Sequence, residues 1–288
     1  MTAVLKMPQA TTPVGQSPSA DEAIQPHNYR PASVWSSGGG AYEEISRQIA
    51  SALEHCVRRA DPRPGERILD LATGTGWTAR LLASRGARVT GVDIAADLLA
   101  AAKGTMQMQG LPIAYELGDA ERLRFTDAAF DAVTSTFGVM FVSRPEAAAA
   151  EIARVCRKGG CVALTTWKPD SNIFEMFKVM RAYMPQPPQP APPSPFAWGS
   201  RERMHELFDD HFDLGFEDGE TIYYDRDGEA AWTAFVTGYG PTKSLAASLD
   251  ESARRNLKRD FIAFHDKFAA PLGIRVPRQY LLTVGTRR

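Results

Sequence analysis

Between residues 66 and 167 short apolar runs alternate with stretches of helical spacing. Residues 67–72, 88–93, 113–117, 130–136 and 161–167 read as strands. Between them, residues 77–85 and a run through Leu98, Leu99 and Met106 read as helices, the first stopped by Gly86 as a left-handed cap and the second ending at Gly110. Ser143-Arg-Pro-Glu146 predicts a capping box for a helix that carries Ile152 and Val155 and ends at Gly159-Gly160. Strand and helix alternating at this spacing mean βαβ units, a parallel sheet and right-handed crossovers. The expectation is a three-layer α/β sandwich over about 62–168.

The flanks are less regular. Residues 1–26, rich in Ala, Thr, Pro, Ser and Gln without periodicity, read as a disordered tail. Ile45, Ile49 and Leu53, spaced by four, predict one helix over 42–59 inside a helical cap of 27–61. Beyond residue 168 comes a 169–210 insertion in which seven of the eleven residues from 185 to 195 are proline, a polyproline-type loop. The last segment, 211–288, opens with Phe212, Leu214 and Phe216 in strand alternation. Asp218-Gly219 follows as a hairpin turn or a bulge, and the pattern alone leaves both open. An insertion at 229–272 reads as a helical lid, with a capping box at Ser248-Leu-Asp-Glu251 and a stripe of Leu257, Phe261, Phe264 and Phe268; residues 280–284 are the last strand.

Composition narrows the class. The chain has 288 residues, 44% apolar and 23% charged, which suits a globular fold. Its 33 basic and 34 acidic residues nearly cancel, so nucleic acid is not the expected partner. Three cysteines without metal-ligand spacing, no apolar run long enough for a membrane and no signal-peptide pattern lead to an expectation of a cytoplasmic protein without metal. His55, His205, His211 and His265 have no paired spacing, and Arg254, Arg255, Lys258 and Arg259 share their helix with acids, as a solvated face does.

Candidate chemistry gathers at the carboxyl ends of the first three strands, where an open parallel sheet binds its ligands. The first strand ends at Asp70, and Gly74 and Gly76 then let the backbone turn tightly and approach a ligand. Asp93 ends the second strand, 17 residues after Gly76, placed to accept from a ribose diol. Asp119, just past the third strand, can accept from an adenine amino group. Gly74-Thr-Gly-Trp-Thr-Ala79 also fits a nicotinamide fingerprint, and a nicotinamide oxidoreductase is the rival reading. Asp70 argues against it, because a dinucleotide strand normally runs apolar into its first glycine.

The set Asp70-x-Ala72-x-Gly74-x-Gly76, Asp93, Asp119-Ala120, Phe130-Asp-Ala-Val-Thr-Ser-Thr136 and Arg157-Lys-Gly-Gly160 resembles the class I S-adenosylmethionine-dependent methyltransferases. It is most similar to the branch holding the ubiquinone and menaquinone C-methyltransferases, and the likeness spans about 40–168. The resemblance implies a Rossmann-like, seven-stranded, mostly parallel sheet with an antiparallel last strand. It also implies S-adenosylmethionine as cofactor, held by Asp70, Ala72, Thr73, Gly74, Gly76, Trp77, Asp93, Ile94, Gly118, Asp119, Ala120, Ser135, Thr136 and Phe137. Ala72 stands where many members have glycine, which calls for a negative φ there. Val139 and Met140 replace polar residues of the quinone enzymes and argue against a quinone acceptor.

The implied activity is methyl transfer to a small molecule by in-line displacement, with RNA or protein acceptors as the alternative. No catalytic residue is assigned and the oligomeric state stays open. Acceptor recognition is expected from 172–198, with Phe174, Phe177, Met180 and Met184, and from 229–272, with residues 29–42 closing over the cofactor. Tyr223, Tyr224, Trp232, Phe235 and Tyr239 could form either an apolar pocket or a plain core.

Overall fold

The computed structural model describes residues 23–186 and 191–288; most of the expected tail and the middle of the proline run lie outside them. Five strands run parallel: β1 (Arg67–Leu71), β2 (Arg88–Asp93), β3 (Ile113–Leu117), β4 (Phe130–Thr136) and β5 (Cys156–Trp167). The long strands β6 (Phe212–Asp225) and β8 (Gly273–Arg287) complete the order β3-β2-β1-β4-β5-β8-β6, and the short β7 (Ala269–Ala270) pairs with β8. β8 is antiparallel to both neighbours, as expected of the last strand. Because β2 and β3 lie to one side of β1 and β4 to the other, the strand order reverses between β1 and β4. A crevice opens there beyond the strand ends.

Helices α1 (Tyr29–Ser36), α2 (Tyr42–Arg47) and α3 (Ala50–Ala60) precede the sheet. α4 (Trp77–Ser84), α5 (Ala96–Gln109) and α6 (Pro145–Val155) cross between its strands, and α7 (Asn172–Arg181) and α8 (Arg201–Phe208) follow β5. The insertion between β6 and β8 folds as α9 (Gly228–Gly238), α10 (Gly240–Ser248) and α11 (Glu251–Asp266); α9 packs on α2, and α11 on α7. Ile68, Leu69, Val133, Val162 and Leu164 are fully buried at the middle of the sheet. No described helix is long and apolar enough to cross a membrane.

Four local expectations are corrected. The helix over 42–59 breaks at Gln48–Ile49, so its halves turn separately around the crevice. Neither capping box forms. Ser143 instead donates to Asn28 while Glu146 pairs with Arg203, and Asp250 caps α11 by accepting from Ala253 N–H at 2.8 Å. β5 begins at Cys156 rather than after the glycines, with its register shifted opposite Phe130–Ala132. Asp218-Gly219 is neither turn nor bulge. It sits inside an unbroken β6–β8 ladder with Gly219 opposite Tyr280, whose buried ring covers the place of a side chain; a Cβ on Gly219 would lie 2.2 Å from that ring.

Candidate functional site

Beyond the carboxyl ends of β1, β2 and β4 lies a cleft of about 980 Å³, roofed by α1 and α2. Its floor is the turn after β1. Thr73 N–H donates to the Val92 carbonyl and Gly76 N–H to the Thr73 carbonyl, folding residues 72–76 back over β2. Gly76 has φ +82°, and a Cβ there would also strike the Tyr115 hydroxyl at 2.1 Å. Ala72 corrects an expectation, because its φ is +54°, the left-handed region that costs an L residue about 1–2 kcal/mol. Phe137, after β4, is also left-handed at φ +58°. Both line the cleft, and Gly138 fits against Ala72 only because it has no Cβ, which would come within 2.4 Å of the Ala72 methyl. Backbone strain at two residues lining one cleft makes it the candidate functional site.

The carboxylates separate by role. Asp70 turns under the floor, accepting from Thr73 Oγ1 at 2.5 Å and Thr134 Oγ1 at 3.0 Å. Burial outweighs these two donors and pushes its carboxyl up to about 7. Asp93 lines the cleft, with one bond on each oxygen: Ala95 N–H donates to Oδ1 at 2.8 Å and Gly74 N–H to Oδ2 at 2.7 Å. Burial raises its pKa against these two donors and the nearby Ile94 N–H, and the carboxylate keeps acceptor capacity to spare. Asp119 is more occupied. Gln25 N–H and Asn28 Nδ2 donate to its Oδ2, and Glu121 N–H to Oδ1.

Ala72, Thr73, Gly74, Trp77, Asp93, Ile94, Gly118, Asp119, Ala120, Thr136 and Phe137 all line the cleft. Asp70, Gly76 and Ser135 lie beneath it; Ser135 Oγ accepts from Val139 N–H. Val139 and Met140 are buried outside the lining, so their apolarity reflects packing and carries no message about the acceptor. Sequence reasoning missed Glu121, which accepts from Ser143 and Arg144 N–H, meets His27 at 2.7 Å and so ties the N-terminal segment to the start of α6. Trp77 lines the cleft with its indole Nε1–H unpartnered.

A second chamber of about 420 Å³ adjoins the first, sharing Trp35, Tyr42, Ile49, Phe137 and Phe141 as walls. Its far side is Ile173, Met176 and Phe177 of α7, Phe235 of α9, Tyr239 and Arg278. Phe235 and Tyr239 thus line a pocket. Met180 instead accepts a contact from Thr242 in the core, and Tyr224 and Met184 are exposed. No described histidine lines either chamber.

Arg278 was not singled out from sequence, although it shares the inward phase of Ile274, Val276 and Tyr280 along β8. It is 3% exposed, and its Nε and Nη2 have no hydrogen-bond partner. The guanidinium carbon lies 4.2 Å from the Tyr223 ring centre and 5.6 Å from that of Phe235. Such contacts return about 0.5–2 kcal/mol, whereas a buried ion costs several. Burial accordingly draws its pKa down to about 10.

A family profile described as a methyltransferase domain matches residues 69–164. An uncharacterized protein of Mycobacterium tuberculosis is 34% identical over 217 residues, covering 74% of this chain and 78% of its own. A demethylmenaquinone methyltransferase of Beutenbergia cavernae is 35% identical over 155 residues, 48% of this chain and 63% of that one. Among solved structures, the YcgJ protein of Bacillus subtilis superposes with a TM-score of 0.58 at 20% identity, covering 83% of this chain and 98% of that.

Proposed function

Because the chain belongs to the class I S-adenosylmethionine-dependent methyltransferases, we propose that it methylates a small molecule, with the cofactor in the larger cleft. The observation that carries this reading is Asp93. Its carboxylate closes β2 at the cleft wall with one full hydrogen bond on each oxygen and acceptor capacity to spare, which is what the two hydroxyls of a ribose need. Asp119, with three bonds already made, has room for about one more and suits a single adenine amino group. The unpartnered Trp77 indole is a further donor available to the ligand.

When bound, the cofactor supplies a methyl on a positively charged sulfur, displaced in line by a lone pair of the acceptor. This chain's part is to hold and enclose. Trp35, Tyr42, Phe137 and Phe141 line the cleft with aromatic rings, which suit a cationic donor. Holding two reactants in line is worth up to about 7–11 kcal/mol in favourable systems. Displacement at a sulfonium disperses positive charge, so catalysis by positioning needs no oxyanion hole. A small acceptor is supported by the second chamber of aromatic and apolar walls beside the cleft and by the balanced charge of the chain.

The test is ligand-dependent melting. S-adenosylmethionine or its demethylated product at a hundred times its dissociation constant should add about 2.7 kcal/mol of stability, and NAD should add none. Stabilisation by NAD alone would overturn the reading. Trideuteromethyl cofactor incubated with a metabolite extract then identifies the labelled product by mass.

A further inference from the structure

The second chamber holds an apolar surface and a single buried cation. Arg278 reaches it from β8, where it pairs with Thr221 of β6; Tyr280, two residues later, pairs with Trp167 at the carboxyl end of β5, so Arg278 lies past the end of the parallel strands. Nothing nearby neutralises it. Among the described residues no carboxylate forms an ion pair with Arg278. The three phenols around it, Tyr42, Tyr223 and Tyr239, are pushed upward by burial and stay protonated at neutral pH. The Tyr223 hydroxyl donates to Asp225 at 2.7 Å, which occupies that acid. His265, behind Tyr223, is held near 4 by burial and is neutral, its ring bonded to the Phe261 carbonyl.

A buried guanidinium with two N–H-bearing nitrogens unpartnered is what a protein keeps for an incoming oxyanion, since the planar fork matches a carboxylate's two oxygens. The remaining walls are flat and apolar: Phe177, Phe235 and Tyr239 on one side, Phe137 and Phe141 toward the cleft. We propose that this chamber takes the methyl acceptor and that Arg278 recognises an oxyanion on it, so the acceptor is an aromatic or similarly apolar acid. The proposal rests on reading the adjoining cleft as the cofactor site, because the shared walls then bring the acceptor's other end to the methyl donor. Its anionic group sits at the deep end, and the nucleophile points toward Tyr42 and Phe137.

The test uses 2-naphthoate and its neutral isostere 2-naphthamide, titrated calorimetrically into the full chain saturated with S-adenosylhomocysteine. Wild type should bind the naphthoate at least tenfold more tightly than the amide. Arg278→Met should erase that preference while leaving S-adenosylhomocysteine affinity within about threefold, and Arg278→Lys should keep a reduced preference. The ligand-free Arg278→Met protein should also melt a few degrees higher, about 2–4 °C, because an uncompensated buried charge has been replaced by an apolar chain of similar reach. A lower melting point would make Arg278 a structural clamp on Tyr223 and Phe235 and overturn the proposal. Wild type that binds S-adenosylhomocysteine without preferring the naphthoate, whether it binds both probes or neither, also overturns it. Failure to bind S-adenosylhomocysteine would instead sink the reading of the cleft.

Discussion

Asp93 and Asp119 differ in how much of each carboxylate the protein has already used, and that difference sets what each can give a ligand. With one bond per oxygen, Asp93 can take two charge-assisted bonds from a ribose. Asp93→Ala should therefore weaken S-adenosylhomocysteine binding by about 2–3 kcal/mol, roughly 30- to 150-fold by calorimetry. Asp119→Ala, losing one adenine contact, should cost about 1–2 kcal/mol. Asp119 also anchors Gln25 and Asn28, so Asn28→Ala measures the part of that loss that comes from loosening the N-terminal segment. Wild-type affinity in the Asp93 variant would remove the ribose role. Asp70 yields a pH prediction. Its pKa is raised to about 7 in the fold, so between roughly pH 4 and 7 the folded chain keeps a proton that the unfolded chain has released. This group's contribution therefore falls as pH rises through that window. Melting curves at pH 5, 6, 7 and 8 should show Asp70→Asn gaining on wild type with rising pH, and a constant difference would refute the raised pKa.

At the level of elements, the long β6–β8 ribbon shows how a residue that weakens strands can sit inside one. Gly219 leaves room for the Tyr280 ring, which is fixed from two other sides: His55 Nδ1 is 2.8 Å from its hydroxyl, and the Phe137 ring meets it edge-on at 5.7 Å. Through Tyr280 the ribbon touches the left-handed residue of the cleft wall. Gly219→Ala should displace the ring and destabilise the fold by about 1–3 kcal/mol, read as a drop in melting temperature. Gly215 lies on the same strand, but the nearest atom to its missing Cβ is 3.9 Å away, so Gly215→Ala should be near neutral. Equal effects at the two positions would show that strand propensity rather than the ring decides.

Across the whole molecule, the two chambers are built from segments far apart in the chain. Trp35 and Tyr42 come from the N-terminal helices, Phe141 from the loop after β4, Phe177 from α7, and Tyr239 from the insertion before β8; Trp35 meets Tyr42, Phe141 and Tyr239 edge-on. The distinction between lining and packing can be tested by comparing Tyr239 with Met180. Tyr239→Ala should impair methyl transfer while S-adenosylhomocysteine affinity stays within about threefold, under 0.7 kcal/mol. Met180, which lies against Thr242 away from both chambers, should behave as a core residue. Met180→Ala should lower stability by about 2–5 kcal/mol without a selective loss of turnover. Turnover assays beside melting curves separate the two, and a pure stability loss in the Tyr239 variant would move the acceptor elsewhere.

What the sequence determined by itself is much of what depends on neighbours along the chain. β2, β3 and β4 fall on the residues that their apolar runs marked, α5 ends at the glycine cap after Gln109, and Asp93 and Asp119 stand at strand ends on the cleft wall. Alternation and a glycine turn are local, so the polypeptide's own covalent geometry carries them. The tertiary structure decided what depends on distant partners. Thr134, brought beside β1 only by strand pairing, helps turn Asp70 under the floor. Tyr280 decides that Gly219 continues a strand, and Asn28, arriving from the N-terminal segment, takes the Ser143 hydroxyl that a capping box would have used. Arg278 is the furthest case. In the sequence it is an arginine near the end of the chain; only the tertiary fold brings Tyr223 of β6 and Phe235 of α9 against it and seals it among aromatic rings, and burial without an anion is what turns an ordinary cation into a candidate for recognition.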